Sequence, residues 1–431
     1  MKVIGLDTGT TTISGVLLSD GIVIDTCTLP NEAKTYDGVY ALQDAERILS
    51  LCREILMRLR AEDADAIAMT GQMHGIVYVD ENGQACGQAV SWQDERGTLP
   101  WHDDLSVSAY MSKLTGYPLA TGYGLVTLYH DLQQGIVPAG AAKITTIPDY
   151  IAMRLGNCQT PLIHTTMAQS LGLYREDTKD FDRDALRQAG ISESFLPAVS
   201  DDIQKVGFYA GKTPVYCALG DNQASVYGAC AGVARVLLNI GTGSQISMIS
   251  DTCMHVPGLD TRPYVDGKYI LSGSSLCGGS AYDVLVSLVQ DVLHQYDCPV
   301  PEQLLQGLDK LALKAGSAGG LMVDTRFRGS RQEPARTGTI SGINMENLTL
   351  GSLAYGFAEG VVKELHDFWQ LMPQTDQISD IAVSGNAVRN SELYRQLIRV
   401  WFPERNIHFT EQKEEAAYGA ACYVSRTGRQ S

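Results

Sequence analysis

The sequence predicts an α/β protein made of two similar halves, and three observations carry that expectation. Short apolar runs of strand length alternate with glycine turns at the start of the chain. An amphipathic stretch then separates them from a further apolar run. The same strand, glycine turn and strand recur about half the chain later. With 431 residues there is material for two or three domains, each with its own core.

Taken in order, Val3-Ile4-Gly5-Leu6 reads as a buried strand, Gly9 to Thr12 as a tight turn, and Ile13 to Leu18 as the returning strand. Asp20-Gly21 signals a hairpin into a third strand from Ile22 to Asp25. The spacing of Ile48, Cys52, Ile55 and Leu59 predicts a helix over 45–60 with one buried face, and Ala66 to Met69 a further buried strand. Three meandering strands, a helix and another strand form an α/β layer that is not a simple Rossmann unit.

The second half opens alike. Val236 to Ile240 is an apolar strand, Gly241-Thr242-Gly243-Ser244 a glycine turn, and Gln245 to Ile249 a return strand. Recurrence at the start of both halves points to an internal duplication. Small residues over 228–234 place the domain junction there, giving domains 1–232 and 233–431. Further on, 302–314 reads as a helix. Leu350, Leu353, Phe357, Val361, Leu365 and Phe368 line one face of a long one, a core stripe.

Lysine and arginine number 33 against 49 acidic residues, a net charge of −16, which disfavours nucleic acid and anionic membranes as partners. The ten cysteines show neither a C-x-x-C pair nor zinc spacing, so reduced thiols are expected. The first residues lack the apolar stretch of a signal peptide, and no apolar run is long enough to span a bilayer. A soluble cytoplasmic protein is the expectation.

Two turns suit phosphate. Gly9, Thr10, Thr11 and Thr12 place unshielded backbone N–H groups beside hydroxyls, a donor set that binds phosphate oxygens without a cationic side chain. Asp7, at the end of the preceding strand, suits a hydrated Mg²⁺. An ordinary Gly-Thr hairpin explains this turn equally well. Gly241, Thr242 and Gly243 supply the second turn, and two such turns favour a nucleotide. No Walker motif or G-x-G-x-x-G after a strand is present. Gly385, Asn386 and Asn390 come after an apolar strand in a manner suited to adenosine or to a plain helix cap.

Gln72, Met73 and His74, between glycines, and Trp92-Gln93-Asp94-Glu95-Arg96 offer amides, an imidazole, carboxylates and an aromatic face, the groups that bind sugar hydroxyls. Asp221 opens a helix after the apolar run 215–219. A carboxylate there often only caps, but one between a sugar side and a phosphate turn suits the base that takes a hydroxyl proton in phosphoryl transfer.

In order, the segments GLDTGTTTISGVLL, GQMHG, SWQDERG, TGYPLATGYGLVTL, ALGDNQASVYG, LLNIGTGSQIS, FRGSRQEPARTGTISGI, SGNAVRN and EEAAYGAA resemble the FGGY carbohydrate kinases of the actin-like ATPase superfamily over essentially the whole chain. GQMHG is also similar to the xylulokinase pattern, whereas GYGLVTLYHDL, IPDYIAMRLG and GDNQASVYG look closer to sedoheptulokinase. The resemblance implies two actin-like, ribonuclease H-like domains around a central cleft, and an ATP- and Mg²⁺-dependent kinase of a ketose. Sedoheptulose is the first choice of sugar and xylulose the second. It implies that Gly9 to Thr12 and Gly241 to Gly243 hold phosphates, with Asp7 near the metal. Gly279, Gly385, Asn386 and Asn390 would line adenosine; Gln72, Met73, His74 and Asp94 would face the sugar; Asp221 would be the base. A homodimer is one assembly open to it. Met73-His74 stands where glycerol kinases carry Arg-Glu, which argues against glycerol, and Ser275-Leu276 replaces the usual Asn-Asn before Gly-Gly. The rival readings are an actin-like nucleotide switch and a catalytically silent sugar-binding regulator.

Overall fold

The computed structural model describes residues 1–330, 333 and 335–428. Arg331, Gln332 and Pro334 of the FRGSRQEPARTG motif lie outside the described residues. By their contacts the residues fall into two compact units, each built on a six-stranded mixed sheet.

In the first unit β1 (Lys2–Thr8), β2 (Thr12–Ser19) and β3 (Ile22–Pro30) form an antiparallel meander. Helix α1 (Ala45–Arg58) comes next, with Asp44 capping the N–H groups of Glu46 and Arg47. Its predicted face is the observed one, since Ile48, Cys52 and Ile55 are fully buried. Then β4 (Ala66–Gly71) pairs parallel to β1. After a helical region containing α2 (Ile147–Leu155) and α3 (Thr165–Leu171), β5 (Lys205–Tyr209) and β6 (Thr213–Gly220) complete the order β5-β6-β4-β1-β2-β3, and α4 (Asp221–Cys230) leaves the end of β6. β6 runs parallel to β4.

The second unit repeats this plan. β7 (Val236–Ile240) and β8 (Ser244–Ser250) are antiparallel and flank the predicted glycine turn. β9 (Asp260–Pro263) and β10 (Tyr269–Ser275) extend the sheet on one side, and β11 (Asp380–Ser384) and β12 (Asn406–Phe409) on the other, in parallel. Five strands match in order and sense between the two sheets, β3-β2-β1-β4-β6 against β10-β8-β7-β11-β12, which is what a duplication produces, while β5 and β9 are added at opposite edges. Two helices, α5 (Gly279–Gln295) and α6 (Leu350–Leu371), contribute to its core. On α6, Phe357, Val361 and Leu365 are buried as expected, while Leu350 at its first turn is exposed.

The last helix, Glu415–Thr427, lies in the second half of the sequence but packs on the first sheet. Its small residues explain how. A Cβ on Gly5 would lie 1.8 Å from the Ala417 carbonyl oxygen, and one on Gly419 would lie 1.8 Å from that of Ala224. The helix therefore sits at backbone contact distance from β1 and α4. Gly419→Ala has no side chain to push aside, only backbone, and should lower stability by about 1–3 kcal/mol or more, read from a urea titration.

Asp149 of α2 supports the end of β6: its Oδ1 accepts the Ala218 N–H at 2.7 Å and its Oδ2 the Thr146 hydroxyl at 2.6 Å. Burial pushes its carboxyl up to about 7, against the opposing pull of those two donors. The folded state thus keeps a proton that the unfolded chain releases, so this group's contribution to stability is present at low pH and lost as pH rises toward 7. Asp149→Asn should accordingly match the wild type in thermal midpoint near about pH 4 and gain on it steadily up to about pH 8.

Candidate active site

Parallel register gathers the predicted residues of the first unit. Thr8 of β1 stands opposite Gly71 of β4, and Gly71 opposite Gly220 of β6. Three strands thus end at one edge, and they lead in turn into the loop 9–12, the segment 72–75 and Asp221. The carboxyl ends of parallel strands are where open α/β sheets bind ligands.

Asp7 is one residue inside that edge, and its Oδ1 is buried without a hydrogen-bond partner. Burial first, then the charges of Asp221 and Glu414, push its carboxyl up to about 8. An orphaned oxygen among repelling carboxylates is a place for a cation. Among the described residues no three His, Cys, Asp or Glu side chains cluster closely enough to cage a metal ion. The donor set therefore fits an ion that keeps most of its water, as Mg²⁺ does.

The turn after β1 is pinned from outside. Asn31 donates its side-chain N–H to the Gly9 carbonyl at 3.0 Å and its backbone N–H to the Thr11 carbonyl at 2.8 Å. Thr10 accepts the Trp92 indole N–H at 2.8 Å and donates to Gln72 Oε1 at 3.4 Å. Thr11 and Thr12 are exposed at the edge.

Of the residues expected to face a sugar, His74 is the best placed. It is half-buried at φ 71°, a backbone conformation rare for a residue with a Cβ, and is held there by Ser170. Its N–H donates to Ser170 Oγ at 3.1 Å, and its Nδ1 lies 2.7 Å from the Ser170 carbonyl, which can only accept, so Nδ1 carries a proton. The ring stacks on Tyr123 at 4.7 Å. Met73 is buried with its thioether against Gly220, where a Cβ would lie 2.9 Å from the sulfur. Gln72 is buried too, in a reciprocal amide pair with Gln43 at 2.9 and 3.1 Å. It braces the edge from below.

Asp94 corrects the sequence expectation. It is fully buried, and both its oxygens are taken: Oδ1 by the Arg96 N–H and Nε, Oδ2 by the Ala41 N–H and Arg96 Nη2. Arg96 also reaches Asp131 at 2.6 Å, and Asp131 accepts the Tyr78 hydroxyl at 2.8 Å. Asp94 is therefore the anchor of a buried ion network. The sequence signal for it, Asp and Arg two residues apart, was visible; the second acid, Asp131, was not. Trp92, 45 % exposed beside the turn, is the aromatic surface that remains available.

Asp221 opens α4, with its own Oδ1 accepting the Asn222 N–H at 2.7 Å. It sits at the strand edge, close enough to Asp7 for the two charges to interact.

The second unit assembles its predicted residues by the same device, Asn239 of β7 standing opposite Ser384 of β11 and donating to its hydroxyl at 2.7 Å. The turn 241–243 closes through the Gly241 N–H on the Gly243 carbonyl at 2.9 Å. The Gly278 and Gly279 N–H groups donate to the Thr242 and Gly241 carbonyls, both at 2.8 Å. Gly385, at φ 102°, lies so near Ile240 that a Cβ would meet its carbonyl at 2.2 Å. Gly241 to Gly243, Gly279 and Gly385 thus form one backbone-lined patch, with Asn386 and Asn390 exposed on the short helix Asn386–Asn390. Asn386 accepts from Arg389 at 3.0 Å. Ser280, for which the sequence offered no signal, places a buried hydroxyl without a partner at the first turn of α5.

Residues 2–228 match the N-terminal domain of the FGGY family of carbohydrate kinases. The chain belongs to this family. As an FGGY carbohydrate kinase it is an ATP-dependent phosphotransferase. It is 26% identical to sedoheptulokinase from Mus musculus, across 97% of this chain and 96% of that protein. It is also 24% identical to xylulose kinase from Bacillus subtilis (strain 168), across 97% and 87%. In three dimensions this FGGY kinase is similar to gluconate kinase from Lactobacillus acidophilus, with a TM-score of 0.84 at 20% identity over 100% of this chain and 89% of the other, a likeness of fold. No helix among the described residues is long and apolar enough to cross a membrane, and none of the ten cysteines is in a disulfide.

The Asp94 network makes a prediction separable from catalysis. Arg96→Met leaves two buried carboxylates uncompensated and should cost about 3–5 kcal/mol of stability. Calorimetry of the variant checks this; a thermal midpoint equal to the wild type would return Asp94 to a substrate-facing role.

Proposed function

We propose that this FGGY kinase transfers the γ-phosphate of ATP to a terminal hydroxyl of a ketose, sedoheptulose before xylulose. The observation that carries the reading is Asp221 at the strand edge it shares with the turn 9–12 and His74, beside the orphaned carboxylate oxygen Oδ1 of Asp7. The full-length likeness to a sedoheptulokinase supports the choice of sugar.

In this reading His74 and Met73 border the sugar, and Trp92 offers its exposed face. Gln72 acts from beneath, by fixing Thr10. Asp221 orients the attacking hydroxyl and takes its proton, which raises the nucleophilicity of that oxygen as the bond to phosphorus forms. In the first unit the backbone N–H groups and hydroxyls of 9–12 suit phosphate oxygens; in the second unit those of 241–243 do, with Gly279, Ser280, Gly385, Asn386 and Asn390 bordering the nucleoside. Asp7 would hold Mg²⁺, which when bound would neutralise charge on the phosphates and keep this carboxylate ionised against the burial that favours its neutral form.

Asp221→Ala should lower ketose-dependent ADP release by about 10²–10⁴-fold while ATP still binds. The decisive measurement is ADP release over a panel of ketoses and polyols. Highest kcat/KM for sedoheptulose is the expected result. ATP turnover indifferent to every sugar, or an Asp221→Ala variant with near-normal transfer, would overturn the proposal.

A further inference from the structure

Helix α3 touches both sides of the proposed sugar site in the first unit. At its start, His164 caps it within a chain of hydrogen bonds. The Gly220 N–H donates to Thr166 Oγ1 at 3.1 Å. That hydroxyl lies 3.0 Å from His164 Nδ1. Nδ1 accepts the Thr166 N–H at 3.2 Å, so it carries no proton, and Nε2–H donates to the Asp201 carbonyl at 3.1 Å. His164 and Thr166 are fully buried. Burial holds the imidazole neutral, down to about 4, against the nearby charges of Asp201, Asp202 and Asp266. Asp201 is in turn fixed by the Thr165 hydroxyl at 3.3 Å and by Lys179.

At the other end of the same helix, Ser170 holds His74 twice, through its hydroxyl and its carbonyl, and gives its own hydroxyl hydrogen to the Met167 carbonyl at 2.7 Å. From Thr166 to Ser170 is little more than one helical turn, about 6 Å of rise. One short rigid element thus grips the residue before Asp221 and the left-handed residue beside the sugar.

We propose that α3 is a gauge that sets the distance between the base and the sugar-side histidine, with His164 and Thr166 as positioning residues for Asp221 and Ser170 as the positioning residue for His74. The inference rests on the roles proposed above for Asp221 and His74. The physical ground is that near-attack geometry is intolerant: a displacement of about 1 Å can cost about 10²-fold in rate. A pair of pins on one helix is a means of holding it. Strain at His74 persists only where surroundings over-determine it, and Ser170 supplies two of those constraints.

The test uses the full chain. Thr166→Val keeps the shape and deletes the hydroxyl, leaving the Gly220 N–H without an acceptor; Thr166→Ser keeps the hydroxyl. Expected for Thr166→Val is a kcat lower by about 10–100-fold with KM for ketose and ATP within about threefold, and rescue by Thr166→Ser to near the wild-type kcat. Hydrogen exchange of the peptide spanning Gly220 should speed up in Thr166→Val and stay slow in Thr166→Ser. Ser170→Ala should instead act on the sugar side, raising ketose KM by about tenfold, and stands as the test if Thr166→Val does not fold. Wild-type kcat and exchange in Thr166→Val, or parallel losses in kcat and KM that Thr166→Ser fails to rescue, would overturn the gauge. If the wild type phosphorylates no ketose, the functional reading falls while the exchange measurement still decides whether Thr166 holds Gly220.

Discussion

Parallel pairing of β1, β4 and β6, in continuous register at the carboxyl ends of the strands, is the constraint on which the site depends. Because Thr8, Gly71 and Gly220 are opposite one another, three stretches far apart in sequence leave the sheet at one edge. Slipping any one strand by a residue would turn its side chains to the other face of the sheet and move its loop away. Register in turn rests on burial, for β1 and β4 are covered on both faces: α1 and α2 pack within this unit and so does the last helix, whose glycine and alanine residues let it approach as closely as backbone allows. The returning C-terminal helix is therefore part of the machinery that places Asp7, although it carries none of the proposed contacts to substrate.

That placement has an electrostatic cost. Asp7 is half-buried, with its Oδ1 fully covered, and feels the charges of Asp221 and Glu414, so this edge gathers repelling carboxylates, and the turns 9–12 and 241–243 carry no lysine or arginine. In a chain of net charge −16, binding a polyanion this way requires neutral donors and a cation from solution. The two turns proposed to hold phosphate fit: their donors are backbone N–H groups and hydroxyls. The acidic balance of the sequence and the binding of a nucleotide are consistent once the positive charge belongs to the ion.

Local patterns carried much of this. The α1 face, the hairpin at Asp20-Gly21 and the two glycine turns are properties of neighbouring residues, and each appears where periodicity or turn chemistry puts it. Illegible were features made by pairs distant in sequence. Asp94 has the composition of a sugar ligand, yet Asp131 and the Ala41 N–H, far off in the chain, convert it with Arg96 into a buried structural ion network. Gln72 loses its amide to Gln43 in the same way. A single cut of the chain into halves also cannot express a last helix that packs on the first sheet, because its small residues read as generic helix until a partner backbone is specified. Polar residues near a strand edge announce chemistry; whether they face ligand or each other is decided by long-range partners.

The same distinction bears on selectivity. The residues that remain presented at the proposed sugar side, His74 and Trp92, are each secured by a residue that no local motif connects with them: Ser170 for His74 and Thr10 for Trp92. Substitutions behind the contacts therefore move the contacts. Met73, lodged against Gly220, links the segment 72–75 to the residue before Asp221 through packing alone. In the proposed site the motif GQMHG sets which groups are offered, while Gln43, Ser170, Tyr123 and Thr166 set where those groups stand. Under that proposal, discrimination between sugars rests on the second set, because a hydroxyl placed out of reach of its partner leaves a polar group unpaired, and this costs more than a lost apolar contact.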